Sequence, residues 1–247
     1  MINKIRATKL GERAADAVQE AIINGQFKPG DSLPSEVDLI AKFGISRPTL
    51  REAVRILESR GLVKVYRGKK GGAEILHPTE AVAAAHAATF LQVNHATLQE
   101  LQHARACIEP ELIRSLEGRL KPTDLENLRS CLRNAEASID QPEEYAANIT
   151  QFHATLFNLM NNKVLSLMAS MLHIIYEPMA AAFIGEYSTE DRRAGLQFEL
   201  ARQQRLLSLL ESAEYDKAAD FCRSNLARIG KILDHGGAGK DIIGSQS

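Results

Sequence analysis

The chain has no tryptophan, only three cysteines and few aromatic residues of any kind. Cys107, Cys131 and Cys222 lie far apart and form no CxxC pair, which argues against a disulfide scaffold and a zinc finger and favours a reducing compartment. An aromatic share of 5% also leaves little material for a surface that stacks single-stranded bases. The sequence therefore disfavours single-stranded nucleic acid as a partner.

Membrane segments and catalytic signatures are missing as well. The most apolar run, residues 164–176, is too short to span a bilayer and contains His173, so we expect a cytoplasmic protein with no membrane partner. The sequence has no P-loop, GxGxxG, HExxH or Ser/His/Asp context. We therefore expect no enzymatic activity and no cofactor.

The distribution of charge is uneven along the chain. The 247 residues are 45% apolar and 25% charged, which is typical of one or two globular domains. The net charge is only −1, yet residues 1–77 carry 14 Lys and Arg against 9 Asp and Glu, whereas the remainder carries 16 against 22. The basic first part predicts contact with double-stranded DNA.

Periodicity predicts a mainly α protein with a winged helix-turn-helix followed by a second part that is helical throughout. In the first part, the predicted elements are helices at 9–24, from Ser35 to Gly44 and from Ser46 to Gly61, and strands at 62–66 and 73–76 around a basic loop at 67–72. In the second part, helices are predicted at 79–93, 96–118, 122–138, 142–160, 163–184, 188–212 and 214–234. The predicted domains are 1–77 and 78–235, with a flexible tail at 236–247.

The third predicted helix has the features of a groove reader. Gly44 permits the tight turn before it, and Arg47 and Arg51 share the face near its amino-terminal end. Arginine pairs bidentately with guanine, and Thr49 suits a phosphate or a thymine methyl. The alternative interpretation is that Arg47, Arg51 and Arg55 form a solvated face and are paired with Glu52 and Glu58.

Residues 25–36, 43–54 and 57–63 closely resemble the winged-helix domain of the GntR family of bacterial transcription regulators. The resemblance implies DNA contacts from the start of the third helix and from the wing tip; these residues are Ser46, Arg47, Thr49, Arg51, Arg67, Gly68 and Lys69. One position departs from the pattern. Fatty-acid-responsive members carry an arginine where this chain has Val37, so one expected DNA contact is missing.

The second part resembles the ligand-binding (FCD) domain of the FadR subfamily, on the residues Arg105, Glu109, Pro110, Phe152, His153 and Asn162. The resemblance implies an antiparallel helical bundle around an effector cavity. It also implies that Arg105 meets an effector carboxylate, although an internal ion pair with Glu109 is an alternative and compatible role. Many members bind a divalent metal through one Asp and three His.

The metal pattern is incomplete in this chain. Only His153 is retained, because Ile149 beside Asn148 replaces the acid and the other two positions align with Gln203 and Asn225. We therefore predict no tightly held metal, with His153 as the one candidate ligand if a metal binds. A polar effector is expected instead, on Arg105, Asn148, His153, Gln203 and Asn225. The alternative for His153 is a satisfied core histidine, and His86, His103 and His173 are interpreted as surface or core residues.

These features together predict a homodimeric regulator that binds operator DNA and responds to a small ligand. By resemblance it represses a catabolic operon and is released by a small carboxylate or a lipid-related effector. Two alternatives stay open: an effector-independent architectural DNA-binding protein and a metal-dependent member of the same family.

Overall fold

The computed structural model describes the backbone of residues 2–66, 72–185, 189–235 and 241–243, and the side chains of residues 9–66, 72–179, 192–232 and 241–243. In these ranges the chain forms ten helices and two strands. They are α1 (Ile2–Ile23), α2 (Glu36–Phe43), α3 (Arg47–Ser59), β1 (Val63–Tyr66), β2 (Gly72–Ile75), α4 (Glu80–Val93), α5 (Leu98–Arg114), α6 (Pro122–Ala137), α7 (Pro142–Asn158), α8 (Lys163–Gly185), α9 (Thr189–Glu211) and α10 (Tyr215–His235).

The chain divides into two compact units, residues 1–82 and 83–247. The first unit contains α1, α2, α3 and an antiparallel hairpin in which Val63 pairs with Ile75 and Tyr66 pairs with Gly72. Val63 and Ile75 are both buried and join α1 and α3 side chains in one apolar core. The predicted winged helix-turn-helix is therefore confirmed.

Local signals set the turn between α2 and α3. The hydroxyl of Ser35 accepts a hydrogen bond from the Asp38 amide at 3.2 Å and begins α2. Gly44 ends α2 with a φ of 61°, a left-handed conformation that glycine adopts without steric cost, and its amide donates to the Ile40 carbonyl. The turn therefore has the residue types that its backbone requires.

The second unit is a helical bundle. Helix α10 packs along α5, α6 packs on α7 and α9, and α8 packs on α5 and α7. The central core is formed by aliphatic and aromatic side chains, among them Leu112, Leu128, Phe152 and Leu210. The mainly α fold class is confirmed. Helix α5 is shorter than the predicted 96–118. Thr97 and Glu100 cap its start reciprocally, and Ser115 caps its end before the predicted end.

The predicted flexible tail is wrong at residues 241–243. Ile242 pairs with Thr97 in an isolated β-bridge, and the Ile243 amide donates to the Ala96 carbonyl at 2.9 Å. Ile243 is also buried in a second apolar cluster of this unit, with side chains such as Leu101. Burial of the Ile243 side chain stabilises the position of this segment on the bundle. The sequence pattern of the tail was too weak to predict this contact.

None of the helices in the described ranges is long and apolar enough to cross a membrane.

Candidate functional site

The arginines of α3 form an exposed, unneutralised face. Arg47, Arg51 and Arg55 are all exposed, and within the described part of the chain none of them forms an ion pair. The neutralising role considered for Glu58 is not seen, because its carboxylate accepts a hydrogen bond from the Val65 amide at 3.3 Å. Three free guanidinium groups on one helical face are suited to bind phosphates or base edges in a major groove.

Ser46 and Thr49 have a structural role at the start of this helix. The two hydroxyls are 2.8 Å apart, and Ser46 also accepts a hydrogen bond from the Thr49 amide at 3.4 Å. Thr49 is only 7% exposed. Its position therefore does not support the predicted direct contact with DNA, because the N-cap directs its hydroxyl toward Ser46.

The remaining predicted DNA-contacting residues belong to the wing. Arg67, Gly68 and Lys69 lie outside the described residues. On the strand that leads to them, Lys64 places its ammonium 5.4 Å from the centroid of the Tyr66 ring, and both side chains are exposed. Val37, which replaces the arginine of fatty-acid-responsive relatives, is 64% exposed on α2.

The helical unit contains a cavity of about 450 Å³ between α5, α7, α8, α9 and α10. Most of its lining is apolar and includes Ile113, Leu156, Phe157 and Leu226. Its polar and charged lining residues are Arg105, Glu109, Tyr145, His153, His173, Tyr176, Glu177, Arg192, Glu199, Arg202, Gln203, Cys222, Asn225 and Arg228. A cavity of this size with a few convergent polar groups is typical of a small-molecule site.

Four of the five predicted effector-binding residues line this cavity together. Arg105, His153, Gln203 and Asn225 come from four different helices, whereas the amide of Asn148 lies outside it and donates to the Ser138 hydroxyl at 3.1 Å. The prediction for Asn148 is wrong because residues four apart share a helical face and residues five apart do not. The position on the same face as His153 is Ile149, which does line the cavity.

Arg105 forms the internal ion pair with Glu109. Its Nε donates to Glu109 Oε1 at 2.6 Å, its Nη1 donates to Gln102 Oε1 at 3.2 Å, and its guanidinium lies 4.2 Å from the Tyr176 ring centroid. Arg105 and Glu109 are 4% and 3% exposed. Burial has the largest single effect and lowers the pKa of Arg105, but the attraction and hydrogen bond of Glu109, together with the effects of Tyr176 and Cys222, raise that pKa above its ordinary value. Arg105 therefore stays charged inside the unit.

His153 of α7 meets His173 of α8 beside this ion pair. The ring centroids are 4.1 Å apart, and the residues are 8% and 6% exposed. Burial lowers the pKa of His153 to about 3, assisted by repulsion from Arg105 and Arg202. Burial also lowers the pKa of His173 well below its ordinary value, so both rings are neutral at pH 7. His173 is therefore a buried core residue, which is one of the two predicted interpretations, but its contact with His153 was not predicted.

Two further features of the cavity were not predicted. Arg202 forms an ion pair with Glu199 at 2.6 Å, and Gln203 donates to the same glutamate at 2.5 Å. The lining carries four arginines and three glutamates, so its formal charge favours an anion.

A sequence signal for His173 existed, because Ser166, Ser170 and His173 recur at helical spacing and form a buried polar stripe on an apolar helix.

The donor set does not fit the metal site of the subfamily. Ile149 replaces the acid, and the amide nitrogen of Gln203 is directed at Glu199. The described residues contain no group of three or more His, Cys, Asp or Glu arranged to hold a metal ion. Tight binding of a transition metal needs several imidazole or anionic donors, which these residues do not supply.

The buried neutral histidines predict a loss of stability in mild acid. The unfolded chain protonates His153 near pH 6.5, whereas the folded chain protonates it only near pH 3. Below pH 6.5 the unfolded chain therefore binds a proton at His153 that the folded chain does not bind. This proton lowers the free energy of unfolding by about 2 kcal/mol between pH 7 and pH 5, whereas above pH 6.5 the stability is fully present. Denaturant titrations at the two pH values should show a smaller loss in His153→Leu than in the wild type. The exposed His103→Leu should keep the full loss, and equal losses in wild type and His153→Leu would contradict the assignment.

Comparisons with known proteins agree with this architecture. The family described as "Bacterial regulatory proteins, gntR family" matches residues 10–71, and the family described as "FCD domain" matches residues 100–228. Among solved structures, Streptococcus agalactiae GntR superposes with a TM-score of 0.61 at 17% identity, over 90% of this chain and 99% of that chain. That superposition supports the fold.

Two relatives extend the comparison. The "Uncharacterized HTH-type transcriptional regulator Rv0494" of Mycobacterium tuberculosis is 27% identical over 185 residues, which cover 74% of this chain and 75% of that protein. The "HTH-type transcriptional repressor NanR" of Cronobacter sakazakii is 26% identical over 160 residues, covering 63% of this chain and 60% of NanR. The chain belongs to the GntR family of DNA-binding transcriptional regulators and carries an FCD domain in its helical unit.

Proposed function

We propose that the protein is a cytoplasmic, homodimeric repressor that binds double-stranded operator DNA and is released by a small carboxylate. The observation that carries the proposal is that one chain combines an exposed arginine face on α3, without ion pairs in the described ranges, with an arginine-bearing cavity in the helical unit. An architectural DNA-binding protein needs the first feature and has no use for the second. The cavity therefore favours ligand control over that alternative.

The arginine face supports recognition of operator bases. Arg47 and Arg51 lie on the first turns of α3, and the amino-terminal end of a recognition helix is the part that approaches base edges. Each guanidinium can pair with guanine O6 and N7. Arg55 lies one turn further along the same face, at a position suited to a phosphate.

The cavity supports a carboxylate effector. Its arginines outnumber its glutamates, its two histidines are neutral, and most of its wall is apolar. A ligand with one anionic end and an apolar body matches such a lining. The metal-dependent alternative is disfavoured because the metal-ligand set is incomplete in the described residues.

Ligand control requires that the effector bind one conformation better than the other. A ligand that prefers the geometry incompatible with operator binding shifts the equilibrium by its difference in affinity. The sign of regulation is proposed from the relatives, since NanR of Cronobacter sakazakii is named a repressor. The cytoplasm is proposed because DNA is the partner and the three cysteines are free.

We expect residues of α3 to determine the base preference and residues of the wing to contribute attraction to any DNA sequence. On an operator selected from random duplexes, Arg47→Ala or Arg51→Ala should each cost about 1–3 kcal/mol of binding and relax the base preference. Lys69→Ala should weaken binding to all duplexes alike and reduce the salt dependence by about one ion. Fluorescence anisotropy at several salt concentrations measures both effects.

The exposed Arg119 of the helical unit provides the matched control for these variants. Arg119→Ala should bind the selected operator as the wild type does. Unchanged base discrimination in both Arg47→Ala and Arg51→Ala would refute the assignment of α3 as the specificity element.

The second expectation is a homodimer held by an apolar surface of the helical unit. One winged helix contacts too few base pairs for useful selectivity. Two winged-helix units must therefore be held together by a symmetric interface between two chains. Helix α8 offers a surface for it, because Val164, Leu165, Leu167 and Met168 are 37–67% exposed although the opposite face of the helix is buried. A helix that is apolar on both faces is normally covered on both.

Sedimentation should therefore show a dimer, both free and on DNA. The double variant Val164→Glu/Leu167→Glu should shift it toward monomer, whereas Gln151→Glu on the exposed surface of α7 should not. A wild-type monomer, free and on operator DNA, would rule out the dimer.

The third expectation concerns the effector anchor. Removing Arg105 alone would leave the Glu109 carboxylate buried and unpaired, at a cost of about 3–5 kcal/mol, so the informative variant is Arg105→Gln/Glu109→Gln. It should keep operator affinity and lose the response to carboxylates. A panel of linear carboxylates of two to ten carbons, each paired with its primary amide, is screened by thermal shift and operator release.

The matched control is Arg129→Gln/Glu126→Gln, which removes an exposed ion pair of α6. We expect this control to respond as the wild type does. An unchanged carboxylate response in the Arg105 double variant would exclude Arg105 as the anchor, and a wild-type response to amides as strong as to acids would exclude the carboxylate class.

A further inference from the structure

The His153–His173 pair is held rigidly at the wall of the cavity. The Phe157 ring lies 5.8 Å from the His153 ring and 6.1 Å from the His173 ring, measured between centroids. Phe152 contacts His153 edge-on at 5.4 Å. These aromatic contacts fix the two imidazole planes, so their nitrogens have fixed directions and cannot turn to new partners without loss of packing.

Three of the four ring nitrogens of this pair are buried and unpartnered in the described residues. His153 Nδ1 and both nitrogens of His173 have no hydrogen-bond partner among the described residues. An imidazole with one proton offers one donor and one acceptor. A buried polar atom without a partner is costly, so the pair requires a group that reaches it from the cavity.

Burial, assisted by the surrounding charges, keeps both rings neutral. The titratable groups that line the same cavity are Arg105, Glu109, Tyr145, Tyr176, Glu177, Arg192, Glu199, Arg202, Cys222 and Arg228. Arg105 and Arg202 repel a proton on His153, and Arg105 repels a proton on His173. Glu109 and Glu199 are each paired with an arginine, and Glu177 accepts a hydrogen bond from the Thr150 hydroxyl. In the described residues, neither ring is paired with a carboxylate that would favour an imidazolium.

The chemistry of two neutral imidazoles selects among ligand groups. A carboxylate only accepts hydrogen bonds, so it satisfies the N–H groups and leaves the acceptor nitrogens unpaired. A hydroxyl both donates and accepts, and it satisfies the two kinds of ring nitrogen together. A water molecule has the same capacity, which means that a ligand hydroxyl takes the place of water at this position.

We infer that His153 and His173 form a hydroxyl-recognition site, so that the effector is a hydroxycarboxylate. The inference rests on the proposed carboxylate function and adds a second polar group to the ligand. The carboxylate lies at the arginines, and Arg202 has a buried Nε without a partner among the described residues. Tyr176, whose ring centroid lies 4.2 Å from the Arg105 guanidinium, is one helical turn from His173, so the hydroxyl lies close to the carboxylate, at its second or third carbon.

The test compares matched acids that differ by one hydroxyl. Calorimetry is run with hexanoate and octanoate and with their 2-hydroxy and 3-hydroxy derivatives, each in two buffers of different ionisation enthalpy. In the wild type, one hydroxylated acid should bind about tenfold or more tightly than its parent, because the parent leaves buried nitrogens unpaired. No net proton should be taken up on binding.

Three variants test whether His173 causes the preference for the hydroxylated acid. His173→Phe keeps an aromatic ring without nitrogens and should reduce the preference for the hydroxylated acid to below about threefold. His173→Gln keeps a donor and an acceptor and should retain part of the preference. His103→Phe, at an exposed position of α5, should retain all of it.

The possible failures are distinct. Equal affinity for hydroxylated and parent acids in the wild type would overturn the hydroxyl site and leave the carboxylate proposal intact. Uptake of about one proton with the parent acids would show that the imidazoles bind the carboxylate itself, which also overturns it. A stoichiometric transition metal that is lost in His173→Phe would replace the site by a metal centre. Failure of every acid to bind would refute the carboxylate function and the inference with it.

Discussion

The helical unit depends on one buried charge and on how that charge is compensated. Arg105 lies on α5, which packs along α10 and also contacts α8. Glu109 neutralises it from the next turn of the same helix, and Gln102 connects it to α10 by donating from its amide to the Leu226 carbonyl at 3.4 Å. A guanidinium removed from water is tolerated only with such partners. The fold therefore positions an arginine at a cavity wall without requiring a ligand for its stability.

The pairing of the arginines with glutamates also affects the charge state of the other polar groups of the cavity. Since the glutamates near the histidines are engaged with Arg105 and Arg202, the imidazoles have no anion to hold a proton. The cavity thus contains two kinds of recognition side by side, a cationic one at the guanidinium groups and a neutral one at the histidine pair. Glu177, the third glutamate of the lining, accepts a hydrogen bond from the Thr150 hydroxyl, and burial raises its pKa.

In the first unit, the arginines proposed to bind DNA are exposed and have no carboxylate partner among the described residues, unlike the buried and paired Arg105. Arg60 at the end of α3 is paired with Asp16 of α1 at 2.8 Å, which fixes α3 on the first helix. The arginines on the outer face of α3 have no such partner in the described ranges and stay available to phosphates and bases. One residue type therefore has a structural role where it meets a carboxylate and a binding role where it does not.

The sequence by itself determined the features that arise between residues close in the chain. The caps at Ser35 and Ser46, the arginine face of α3 and the Arg105–Glu109 pair all follow from helical spacing of three or four residues, so the fold class and much of the candidate site could be predicted. Tertiary structure alone decided the rest. Periodicity cannot tell which helices become neighbours, and so the meeting of His153 with His173 and the docking of Ile243 depended on packing between distant segments.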